Sequence, residues 1–114
     1  MKPSEAREYM GAQYIQADAR AAHIVKEDIQ YKHEPLMKSS IVERAFSPEG
    51  GHLLFKDCSF HRLSTLETEA VEKAVKEFFE REGWIVENVG VYSASIPENG
   101  QISVDLKAAD SQGA

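Results

Sequence analysis

The stretch Ser64–Gly83, STLETEAVEKAVKEFFEREG, constrains this chain more than any other. Ser64 and Glu67 have the spacing of a capping box, in which a hydroxyl and a carboxylate satisfy backbone N–H groups that the first helical turn leaves unpaired. Ala70, Val71, Ala74, Val75, Phe78 and Phe79 follow as pairs four residues apart, which the helical period gathers onto one broad face. That face has to be buried. On the opposite side Glu69, Glu72 and Glu77 precede Lys73, Lys76 and Arg81 by four residues, the favourable order for ion pairs worth about 0.2–0.5 kcal/mol each. Gly83 can take the left-handed conformation that ends a helix, and Trp84-Ile85-Val86 begins a strand.

Upstream, Ser4 to about Asp28 reads as a first helix, with Ser4 as N-cap and Glu5 and Glu8 at the positive end of its dipole. Met10, Tyr14, Ala17, Ala21 and Ile24 form a narrow seam at 4-3-4-3 spacing, widened by Ala6 and Val25 and ended by Asp28. A helix of this length would be roughly 37 Å long, more than the width expected of such a small domain. Either it breaks near Gly11 or one end overhangs, and an overhanging amphipathic helix needs a cover, most simply a second copy of the chain. Pro35 biases Glu34 away from helical geometry, so the helix is expected to end before it.

Residues 39–46 fit two turns of helix or a strand. The turn signal Ser47-Pro48-Glu49-Gly50-Gly51 and the alternation in HLLFKDCSF, which sets Leu54, Lys56, Cys58 and Phe60 against Leu53, Phe55, Asp57 and Ser59, favour a hairpin. A second hairpin follows the central helix. Its strands are Trp84 to Ile96, with bulge positions at Asn88 and Gly90, and Gln101 to Lys107, with Ile102, Val104 and Leu106 on one face; the turn is Pro97-Glu98-Asn99-Gly100. The expected fold is therefore α+β, in the order α-ββ-α-ββ, with about four antiparallel strands covered by helices on one face. At 114 residues the chain suits one domain over residues 1–108, with 109–114 as a flexible tail.

The net charge of −6 is concentrated in residues 64–114, which carry four basic and ten acidic side chains. Nucleic-acid backbones and anionic membranes are bound by lysine and arginine, so this balance disfavours both as partners. The exception is a local basic patch of Lys56, His61 and Arg62. Stacking of a single-stranded base would need Tyr92 and Lys107 on one open sheet face. The first residues, MKPSEARE, lack the apolar stretch of a secretory signal, and Cys58 is the only cysteine, so a reducing, cytoplasmic setting is expected.

His52, Asp57, Cys58 and His61 are the nearest approach to a reactive cluster. Zinc would want a second cysteine, and in an extended segment Cys58 and His61 point to opposite faces. The reading preferred for Cys58 is a small core residue beside Leu54 and Phe60, with no metal or cofactor implied. No nucleophile elbow, phosphate-binding glycine loop or metalloprotease signature is present in the sequence. The sequence points to a small acidic protein-binding or adaptor domain without enzymatic activity; the seam Met10, Tyr14, Ala17, Ala21 and Ile24 is covered either by packing of the helix along its own sheet or by self-association of two copies. The alternatives are a nucleic-acid module using Lys56, His61 and Arg62, or a small-ligand or metal-dependent enzyme at Cys58 and His61.

Overall fold

The central helix and the pairing of the second hairpin's strands are present in a computed structural model that describes residues 1–93 and 99–109; the first hairpin is much shorter than expected. Helix α3 spans Thr65–Arg81 with Ser64 as N-cap. The Ser64 N–H donates to Glu67 Oε1 at 2.9 Å and the Glu67 N–H donates to Ser64 Oγ at 3.1 Å, completing the capping box. Val71, Val75 and Phe79 are fully buried, with Ala70, Ala74 and Phe78 packed beside them. Of the three spaced ion pairs, Glu77–Arg81 closes, at 4.0 Å. Gly83, at φ +96, ends the helix by donating its N–H to the Glu80 carbonyl.

Strands β1 (Phe46–Ser47), β2 (Gly50–Phe55), β3 (Trp84–Tyr92) and β4 (Gln101–Ala108) form one antiparallel sheet in the order β1-β2-β4-β3. The register sets apolar side chains in rows across the sheet: Phe55, Ile102 and Val91 in one, Leu53, Val104 and Val89 in the next. These rows form the core with α3, where the Phe55 and Phe79 rings lie 6.3 Å apart. Between Val86 and Asn88 the β3–β4 register slips, so Glu87 is the extra residue of a bulge beside the expected position Asn88. Gly90 serves otherwise: the Tyr92 and Ser103 hydroxyls both lie where a Cβ on residue 90 would stand. The expected strand residues 94–96 and the turn residues Pro97 and Glu98 lie outside the described residues, as do 110–114 of the expected tail.

Helix α1 spans Pro3–Ile24. It runs unbroken through Gly11, and its N-cap is Lys2 rather than Ser4, because Pro3 occupies the first helical position, where its fixed φ fits and its missing N–H costs nothing. A π-helical turn, Val25–Gln30, follows and buries both Asp28 and Ile29; its wider turn brings two adjacent side chains inward where an α-helix would bring one. The chain does not then become extended. Helix α2 spans His33–Val42, with Pro35 in its first turn, where no backbone donor is needed.

The expected strand over 39–46 is therefore helix as far as Val42, and only Phe46–Ser47 pairs with β2. The helix end explains the error. Arg44 sits in the left-handed region at φ 64, its N–H donating to the Ile41 carbonyl while the Ala45 N–H donates to that of Ser40 at 2.8 Å. This is the hydrogen-bond pattern of a Schellman cap, with arginine where glycine is usual. Arg44→Gly is expected to stabilise the fold by about 0.5–1 kcal/mol by relieving the left-handed side chain, read as a rise in melting temperature.

The segment after β2 also departs from the expected strand, which ends at Phe55. Asp57 also takes a left-handed φ, of 55, and this reverses the alternation. Leu53 and Phe55 are buried within the strand, and beyond it the even-numbered Cys58 and Phe60 are buried in the same core, while Leu54 is only half-buried.

Candidate functional site

The cluster around Cys58 is dispersed by the fold. Cys58 is buried and its Sγ–H donates to the Phe55 carbonyl at 3.4 Å. Burial first, and the Asp28 carboxylate second, push its thiol up to about 12, so it stays protonated at neutral pH and is no nucleophile there. His52 faces Asp105 across the β2–β4 ladder, with Nδ1 and Oδ1 2.6 Å apart on the exposed side of the sheet. Lys56, His61 and Arg62 are all exposed on the segment between β2 and α3. Tyr92 pairs with Gln101, whereas Lys107 pairs with Ile85 seven residues back along β3, a separation of roughly 23 Å that no single base spans. Among the described residues, no group of three or more His, Cys, Asp or Glu could hold a metal ion, and no helix is long and apolar enough to cross a membrane.

Asp28 has a part that its interruption of the apolar seam hinted at without defining. Its carboxylate, 2% exposed, accepts the Ser59 N–H on both oxygens, at 2.9 and 3.0 Å, and the Ser59 hydroxyl at 2.7 Å. Lys32 Nζ approaches at 3.7 Å. The π-helical turn is thereby tied to the segment after β2. That segment is also held to Gly100, the residue before β4, through the Cys58 N–H on the Gly100 carbonyl and the Gly100 N–H on that of Phe60. The Phe60 ring lies where a Cβ on residue 100 would stand.

The seam of α1 divides in two. Ala17, Ala21 and Ile24 are buried inside the chain's own fold. Met10 and Tyr14, on the same stripe two turns and one turn earlier, are 54% and 51% exposed, and the adjacent Tyr9 and Ile15 are exposed as well. The reason is where α3 starts. Arg20 Nε meets Glu67 Oε2 at 3.4 Å in the first turn of α3, so α1 upstream of about residue 17 has no α3 beside it. The stretch Pro3–Gln16 projects by roughly 21 Å. Accordingly, the radius of gyration is 16.2 Å, against about 13 Å expected for a compact domain of this length.

Alongside the buried half of α1 runs an open cleft of about 630 Å³, between α1 with its π-helical turn and α3. Alanines 21, 22, 70 and 74 give it shallow walls, and Val25 and Phe78 its apolar lining. His33 stands at one end, its Nδ1–H donating to the Gln30 carbonyl at 2.9 Å and its ring edge-on to Phe78 at 5.0 Å. Asp18, Glu77 and Glu82 line the cleft with Lys73 and Arg81. No sequence pattern marked it, because its two walls are thirty residues or more apart in the chain. Among protein-family models, curated proteins and solved structures, none matches this chain. The candidate site is a projecting helix with an apolar stripe beside a shallow, mixed-charge cleft.

Proposed function

We propose that this chain is a small acidic protein-binding domain of the cytoplasm that acts by contact rather than by catalysis. Its contact surface is the projecting half of α1. One observation carries this reading: the stripe that is buried at Ala17, Ala21 and Ile24 continues outward as exposed Met10 and Tyr14, with Tyr9 and Ile15 flanking it. Scattered single apolar side chains on a surface need no explanation, but Met10 and Tyr14 extend a buried stripe along a helix that projects from the body, an arrangement of the kind that marks protein contacts.

The double variant Met10→Glu/Tyr14→Glu tests it. Both side chains are more than half exposed, so the melting temperature should stay where it is while proteins captured from the native host by the immobilised chain are lost. If the double variant retains every protein that the wild-type chain retains, the projecting helix is not the contact surface.

A further inference from the structure

We propose that the cleft between α1 and α3 receives the projecting half of α1 from a second copy of the chain, so that two copies dock their N-terminal helices reciprocally. This rests on the reading of that helix as a protein-contact surface and names its partner. Arg7, Gly11, Tyr14, Asp18, Ala22 and Val25 succeed one another at intervals of three or four residues and so lie in one row along the helix. The second half of this row lines the cleft, and the first half projects beyond it. A two-fold axis across the middle of the row lays it on its own reverse.

The facing residues are then complementary. Gly11 of one copy comes opposite Ala22 of the other, and both are small enough to let the helices approach closely; nothing lies within 4 Å of a Cβ added at Gly11. Tyr14 comes opposite Asp18, where its hydroxyl can donate to the carboxylate. Arg7 lies over Val25, with its guanidinium toward Glu77 on the far wall, matching positive to negative charge. Lengths agree too: the projecting segment is roughly 21 Å long, and the wall from Asp18 to Gln30 is roughly 19 Å. Flat footprints about 10 Å wide, counted on both surfaces of both contacts, come to on the order of 800 Å² before the cleft walls are added. A stable interface buries about 1,200 Å² or more, so the dimer should be weak and concentration-dependent.

The test is disulfide formation in the double variant Gly11→Cys/Ala22→Cys, alongside each single variant and sedimentation of the wild-type chain. Both positions are exposed, so the fold should tolerate the changes. Eleven residues of helix, about 16 Å, separate them, far beyond the roughly 4.4–6.8 Å between Cα atoms that a disulfide allows, so no bridge can form within one chain. Cys58, buried and protonated, should not compete. The expected result is covalent dimer from most of the double variant and little from either single variant, with wild-type mass rising toward a dimer as concentration rises. Equal cross-linking of Gly11→Cys alone would place projecting helix on projecting helix and overturn the docking. A wild-type chain that stays monomeric would overturn it as well. Neither failure touches the wider reading, which stands or falls on capture by the Met10→Glu/Tyr14→Glu variant.

Discussion

Phe79→Ala is expected to destabilise the protein by about 3–5 kcal/mol, the largest effect of any single truncation considered for this chain. The ring is fully buried at the junction of α3 with the sheet, touching Phe55 across the core and Phe78 edge-on at 5.2 Å along the helix. Removing it takes apolar surface out of the core and leaves a cavity that the neighbouring strands, fixed by their ladder, cannot collapse to fill. Against a total stability of about 5–15 kcal/mol for a domain of this kind, that brings the chain close to unfolding at room temperature. Urea denaturation followed by circular dichroism measures it. Phe78→Ala, at a half-buried position on the same helix, should cost clearly less; equal losses at the two positions would show that α3 is not seated as described.

Asp28→Ala is expected to cost about 2–3 kcal/mol, from one side chain of the π-helical turn between α1 and α2. The carboxylate receives three hydrogen-bond contacts from Ser59, and its loss leaves the Ser59 N–H and hydroxyl without their acceptor. Hydrogen bonds to a charged group are worth more than neutral ones, hence the size of the effect. Lys32 adds little, since its side chain is 44% exposed and returns to water when its partner goes. Ser59→Ala removes only the hydroxyl and should cost about 1 kcal/mol, because its backbone N–H still reaches the carboxylate. A double-mutant cycle over the two positions should therefore be strongly non-additive. Additive losses would mean that Asp28 stabilises the π-helical turn without tying it to residue 59.

The two helix ends show how much of the fold was legible. Both α2 and α3 end on a left-handed residue whose N–H turns back into the last turn. At α3 that residue is Gly83, and the boundary could be read directly. At α2 it is Arg44, a residue type disfavoured in the left-handed region, so nothing in the sequence announces a helix end and the turn signal that follows favours a strand over residues 39–46. The same holds at Asp57, whose positive φ reverses the inward and outward alternation that a continuous strand would have kept. The candidate site was half legible. The stripe Met10, Tyr14, Ala17, Ala21 and Ile24 was visible as a periodicity, but its division into a buried and a projecting half depends on where α3 begins alongside it, which a salt bridge between Arg20 and Glu67 marks.

By itself, then, the sequence determined what neighbouring residues settle among themselves. The Ser64–Glu67 box, the apolar face of α3, the glycine at its end and the alternation of Ile102, Val104 and Leu106 are set by interactions within a few positions, where backbone geometry and side-chain period leave little choice. Tertiary structure decided what depends on distant segments meeting. It set β2 against β4, seated the Asp28 carboxylate on Ser59, and left a cleft between α1 and α3 with a bare helix beyond it. Those outcomes follow from the relative lengths and offsets of packed elements, and an offset between two helices forty residues apart is written in no local pattern.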